Sequence, residues 1–206
     1  MKIVECPRDA MQGIKHWIPS ELKIKYINQL LNVGFDTLDF GSFVSPKAIP
    51  QLKDTEQVLN GLDLSDTKSK LLAIVANERG ALDACRFEEI QFLGYPFSIS
   101  EEFQKRNTNA SIEESLSRVE AIQNLCLKHK KELVIYISMG FGNPYGEQWS
   151  PDIAAHWSNR LATELDVKIL ALSDTIGVSN PENISSLFST LIPEFPKVEF
   201  GAHLHS

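Results

Sequence analysis

No cluster of basic residues appears anywhere in this 206-residue chain, whose 27 acidic and 20 basic residues leave a formal charge of −7. A nucleic-acid binder would carry a basic face, so that class is excluded, and the modest acidic excess serves solubility. Cysteine is scarce: Cys6, Cys85 and Cys126 stand far apart with no CxxC pair. That excludes a disulfide framework and a thiolate zinc site, and it fits a reducing compartment. No apolar run is long enough to span a bilayer, and the opening residues read as a strand and not as a leader peptide. These absences predict a soluble, cytoplasmic protein without nucleic-acid or membrane partners, folded as one domain over residues 1–206. The Gly-rich turn that follows the first strand of a dinucleotide-binding fold is missing too. Pro7-Arg8-Asp9 occupies its place.

What is present is strand and helix in alternation. Met1 to Cys6 reads as a buried strand, left at Pro7 because proline cannot donate to a ladder. A helix from Pro19 to about Asn32 is expected to bury Leu22, Tyr26, Leu30 and Val33 and to stop at Gly34. Further strands are predicted over Phe35–Phe40, Lys70–Ala76, Glu88–Gly94, Glu132–Met139, Val167–Leu172 and Lys197–His203. Between them lie a short helix over Leu52–Leu59 and one ending near Cys85. A capping box at Ser111 and Glu114 opens the longest helix, and Ser150-Pro151 and Asn180-Pro181 open two more. Such alternation implies a parallel sheet covered by helices. An open doubly wound sheet and a (β/α)8 barrel both satisfy it. Arg8, Asp9, Asp39, Asn77, Ser138, Asp174, His203 and His205 all fall at or just past a strand C-terminus, which favours a TIM barrel with about seven parallel strands present.

Those rim positions define the candidate chemistry. His203 and His205 stand two apart on a strand and therefore share a face. A pair of imidazoles suits a divalent cation, and Asp9 could add a carboxylate to the same ion, a set compatible with Mg2+, Mn2+, Fe2+ or Zn2+. Arg8 and Asp9 read equally as a local surface ion pair. In a site, Arg8 would stabilise an oxyanion or enolate, and Asp39 would hold Arg8 or a metal-bound water in place, or act only as a capping or solvated carboxylate. Asp174 is flanked by Leu172 and Ile176, which read as buried, and so points to a rim role. His16, His129 and His156 read as surface residues, and Cys6 as a packed thiol.

Several segments resemble the hydroxymethylglutaryl-CoA lyase family of metal-dependent TIM-barrel enzymes. They are Ile3–Gln12, Ser42–Gln51, Ser111–Ser115, Asn143–Glu147, Asp174–Val178 and Ala202–His205. The resemblance implies retro-Claisen cleavage of 3-hydroxy-3-methylglutaryl-CoA, an acyl-CoA substrate, to acetyl-CoA and acetoacetate, in leucine breakdown or ketone-body formation. It implies Mg2+ or Mn2+ held by Asp9, His203 and His205, catalytic roles for Arg8, Asp39 and Asp174, substrate contacts from Arg8 and Gln12, and a homodimer when full length. Asp39 stands where the family usually carries Glu, and Ser173 where it carries Gly. The family also continues beyond the His-x-His strand, usually with Asp at the position of Ser206, into an eighth strand, a Gly-rich loop bearing a cysteine, and an Asn ligand. The expectation is therefore a barrel lacking its last strand-helix unit, poorly stable and nearly inactive by itself. The related condensing synthases and aldolases, and a non-catalytic remnant, are the rival readings.

Overall fold

The structure, a computed structural model, describes residues 1–205. Ser206, where the resemblance expects Asp, lies outside them. Seven strands follow one another in the sheet in chain order, β1(Val4–Glu5), β2(Thr37–Ser42), β3(Lys70–Ile74), β4(Ile90–Ser98), β5(Glu132–Ser138), β6(Ile169–Asp174) and β7(Glu199–Leu204). The pairs β1–β2, β2–β3, β5–β6 and β6–β7 are all parallel. A doubly wound sheet must reverse its strand order at a switch point; this one never does, which is the winding of a (β/α)8 barrel. Two compact units divide the chain: residues 1–93 with 128–131, and residues 94–127 with 132–206. The nine-residue β4 starts in the first and ends in the second.

In the first unit, β2 is buried along its whole length and pairs with β3 through a bulge between Asp39 and Gly41. A β-carbon at Gly41 would lie 2.5 Å from Thr55 Cγ2, so glycine is what lets the strand approach α3(Thr55–Asn60). The first strand is not the buried strand expected. It is two residues long, with Ile3 and Val4 about half exposed. Part of its ladder is replaced by Asp36, whose carboxylate accepts from the Ile3 amide at 3.0 Å. Pro7 does end the strand, and it does so by opening a short helix, α1(Pro7–Gln12), to which the sequence assigns no element.

The helix α2(Ser20–Leu31) also corrects an expectation. Leu22, Tyr26 and Val33 are exposed, while Lys23, Ile27 and Leu31 face inward. The turn of the helix is set by Lys23, whose ammonium donates to Asp54 at 2.7 Å and to the Gln51 carbonyl at 2.5 Å and lies over the Trp17 ring. A buried charge is tolerable only with such partners, and hydropathy spacing cannot see them. Gly34, at φ +87°, stops the helix region as expected.

In the second unit, α6(Ile112–Lys128) begins at the predicted capping box. Glu114 N–H donates to Ser111 Oγ at 3.1 Å and Ser111 N–H to Glu114 Oε2 at 2.7 Å. Ser150 and Asn180 likewise cap α7(Pro151–Asn159) and α8(Pro181–Glu194). The helix α5(Glu101–Thr108) was not foreseen because its inward residue is the polar Gln104. That amide accepts from Ser98 N–H at 2.6 Å and donates to Ser115 Oγ at 2.6 Å. Buried polar groups satisfied in this way leave no apolar stripe to read.

Candidate functional site

The first unit gathers Arg8, Asp9, Gln12 and Asp39. Asp39 is fully buried in mid-strand, not at the strand end where the sequence had placed it. Arg8, on the first turn of α1, grips it as a fork. Its Nε lies 3.1 and 3.2 Å from the two carboxylate oxygens, and Nη2 is 2.5 Å from Oδ2. On its other side, Nη1 donates to Asp9 Oδ1 at 2.8 Å and to Gln12 Oε1 at 3.0 Å. Arg8 and Gln12 meet because they are four residues apart on one helix face. The surface-ion-pair reading is thereby replaced: Arg8 is 8% exposed, and its main partner lies 31 positions away. Only a planar guanidinium can hold a carboxylate through two parallel N–H bonds while presenting its far edge elsewhere.

Cys6 lies just before α1 and is half-buried. Burial first, then the Asp39 carboxylate, push its thiol up to about 12, against the opposing pull of Arg8. It remains protonated at neutral pH and is a packed thiol, as expected.

The second unit gathers His203, His205 and Asp174. The β6–β7 register pairs Ser173 with His203 and Asp174 with Leu204. His203 and His205 therefore share a face, with ring centroids 5.0 Å apart. Tyr136, on β5, meets the His203 ring edge-on at 5.4 Å. It does so above the small residues Ala171 and Gly201, which share its register row. Sequence reading missed Tyr136; its one signal was a tyrosine inside an otherwise aliphatic strand.

Asp174 is buried at the end of β6, but Ile176 is 38% exposed, so the flanking pattern that pointed to it was half wrong. Its two carboxylate oxygens accept from Val178 N–H at 2.9 Å and Ser179 N–H at 2.8 Å, folding the loop back over the strand end. Burial works to raise this carboxyl. Hydrogen bonds from the Ser179 side chain and from the backbone of Ser179, Val178 and Gly177 outweigh it and hold the group below the ordinary carboxylate range. A lowered folded-state pKa contributes stability above about pH 4 that is lost as pH falls through the folded value. Asp174→Asn is therefore expected to be less stable at neutral pH and to lose less further stability between about pH 5 and pH 2. Urea unfolding against pH measures this, and parallel curves for the two proteins would contradict it.

His16, His129 and His156 are all exposed, as expected, with His156 beside Trp157 on α7. No described helix is long and apolar enough to cross a membrane.

The HMGL-like family model matches residues 2–206. Hydroxymethylglutaryl-CoA lyase YngG of Bacillus subtilis is 34% identical over 97% of this chain and 66% of its own length. The human mitochondrial lyase is 32% identical over all of this chain and 62% of its own length. The chain thus spans less than two thirds of these relatives. Among solved structures, the Bacillus subtilis HMG-CoA lyase superposes with a TM-score of 0.92 at 32% identity, over 100% of this chain and 68% of that one. The lyase of Acinetobacter baumannii, in complex with coenzyme A and 3-methylmalate, gives 0.89 at 27% identity, over 99% and 66%. Relatives named cytoplasmic and mitochondrial both occur, so kinship alone assigns no compartment. With seven in-order parallel strands and an unbroken match from residue 2, this chain belongs to the HMGL-like family.

Proposed function

We propose that the protein represented by this chain is a metal-dependent hydroxymethylglutaryl-CoA lyase acting in a reducing compartment, the cytoplasm by preference. The observation that carries the reading is the fork of Arg8 on buried Asp39, which fixes a guanidinium whose other edge meets Asp9. The kinship with proteins named as this lyase supports the substrate. Three cysteines far apart in the chain, with no CxxC pair, support the compartment.

By the likeness to the family, Asp9, His203 and His205 would hold one metal ion, and a carboxylate with two imidazoles fits Mg2+ or Mn2+ while leaving positions for substrate oxygens. The ion's contribution when bound is to lower the pKa of the substrate's tertiary hydroxyl and to orient that carbon. Loss of the hydroxyl proton turns the tertiary carbon into a ketone as its bond to the thioester's α-carbon breaks. The electron pair passes to that carbon as an enolate, which takes a proton to give acetyl-CoA, and acetoacetate leaves. Arg8 faces the negative charge that grows on the thioester oxygen, and Asp39 keeps the guanidinium from following it. Gln12 fixes the Nη1 edge of Arg8 and would add a substrate contact beside it. Asp174 acts by holding the loop after β6. The thiols are poor proton carriers: Cys85 and Cys126 are buried, and Cys6 is held at about 12.

The test is cleavage of 3-hydroxy-3-methylglutaryl-CoA against condensation of acetyl-CoA with 2-oxo acids. Both are run with Mg2+ or Mn2+ on the 206-residue chain and on the product of any reading frame that continues past it. Acetoacetate formation that EDTA stops and added metal restores is expected, strongest in the longer product. Condensation without cleavage would assign a synthase, and metal binding without either reaction in the longer product would assign a remnant.

A further inference from the structure

The loop that follows β6 does more than cover the strand end. His205 Nδ1 lies 3.4 Å from the backbone carbonyl of Thr175. A carbonyl oxygen only accepts, so this contact is favourable when Nδ1 carries the hydrogen; two lone pairs would repel. A neutral imidazole protonated at Nδ1 presents its Nε2 lone pair outward, the form in which a histidine ligates through Nε2.

Thr175 itself is held from three sides. Its Oγ1 accepts from Met139 N–H at 2.9 Å, tying the loop to the end of β5 at a residue with φ +60°. Asp174 draws Val178 and Ser179 back onto the strand end. Gly177, at φ +68°, makes the turn between them, and a β-carbon there would stand 3.6 Å from the His205 carbonyl oxygen. The loop is therefore closed before and after Thr175, and its carbonyl faces His205 as a consequence.

We infer that Thr175 is a positioning residue for His205: the loop closed by Asp174 and by the Thr175 hydroxyl sets a carbonyl that selects the Nδ1–H tautomer and so aims Nε2 at an ion. This deepens the reading of His205 as a metal ligand and rests on it. Thr175 lies inside the Asp174–Val178 motif, but the motif does not mark this role, because the acting atom belongs to the main chain.

Two readouts test it without any turnover. The first is the long-range nitrogen–proton spectrum of the metal-free protein at about pH 8, where an ordinary imidazole is neutral. The His205 signals are assigned by their loss in His205→Ala. The Nδ1–H tautomer is expected; a dominant Nε2–H tautomer overturns the inference. The second is Mn2+ affinity by paramagnetic resonance. Thr175→Val removes the acceptor for Met139 N–H and is expected to weaken binding about 10- to 100-fold, the range found when partners of metal-bound histidines are lost. Thr175→Ser keeps the hydroxyl and should restore affinity to within about threefold of the parent. If Thr175→Val binds Mn2+ as the parent does while His205→Ala loses affinity, the positioning role is wrong and the ligand reading stands. If His205→Ala binds unchanged, the ligand reading fails and takes this inference with it. Should Thr175→Val not fold, the tautomer of the parent protein and the serine variant still decide the matter.

Discussion

Replacing Arg8 by Gln is expected to remove lyase turnover, by at least about 100- to 1,000-fold, while leaving Mn2+ affinity within about threefold of the parent. The reason is geometric. In the parent, the guanidinium is 8% exposed and held on two edges, by Asp39 on one and by Asp9 and Gln12 on the other. It cannot drift, so its charge is already in place when the thioester oxygen becomes an enolate. Glutamine keeps a donor but no charge and cannot fork onto a carboxylate. Arg8→Gln also takes from Asp39, which is fully buried, its nearest cation at 2.5 Å. Losing one partner of a buried pair costs about 3–5 kcal/mol, so a lower unfolding midpoint should accompany the loss of turnover. Arg8→Lys separates the two effects: it keeps the charge and restores part of the stability, but a point charge cannot satisfy Asp39 and the substrate together. Turnover in Arg8→Gln within tenfold of the parent, on protein shown to be folded, would remove Arg8 from the chemistry.

His203→Ala should lower divalent-cation affinity by more than about 100-fold, since a direct ligand outweighs the outer partners whose loss costs about 10- to 100-fold. The cost to the fold should be small, within about 1 kcal/mol, because the side chain is half-exposed and its described neighbours are the Tyr136 edge and the His205 ring. Titration with Mn2+ and a denaturation curve on the same variant give the two numbers independently. Asp9→Ala should lose affinity as well and, in addition, loosen the Nη1 edge of Arg8, so its loss of turnover should exceed what added metal can restore. Unchanged affinity in His203→Ala would exclude it as a ligand.

How much of this could be read in advance differs between the Arg8 cluster and the two histidines. The two histidines needed only the period of a strand: residues two apart point the same way, and the β6–β7 register keeps them so. Arg8 was legible as a charge after a strand, but its grip on Asp39 was not. That bond joins residues 31 positions apart and depends on Pro7 starting a helix as the chain leaves the first strand. Asp174 was picked by residues taken as buried, and Ile176 is not. The group nevertheless lies at the strand end, occupied with the amides of its own loop. The roles of Thr175, inside the Asp174–Val178 motif, and of Tyr136 were not legible, the one because it acts through a carbonyl and the other because it looks like strand filling.

The residue order alone determined the alternation of strand and helix, the capping box at Ser111, the cap at Asn180, and the helix stop at Gly34, since each depends on neighbours within a turn or two. Together with the motifs it also determined the family. Tertiary structure decided which face of α2 turns inward, that Asp39 sits inside a fully buried strand, and that a polar helix such as α5 forms at all. The physical reason is common to the three. A buried Lys23, Asp39 or Gln104 is stable only when partners brought from elsewhere in the fold meet its charge or its hydrogen bonds, and those partners are defined by distance in space.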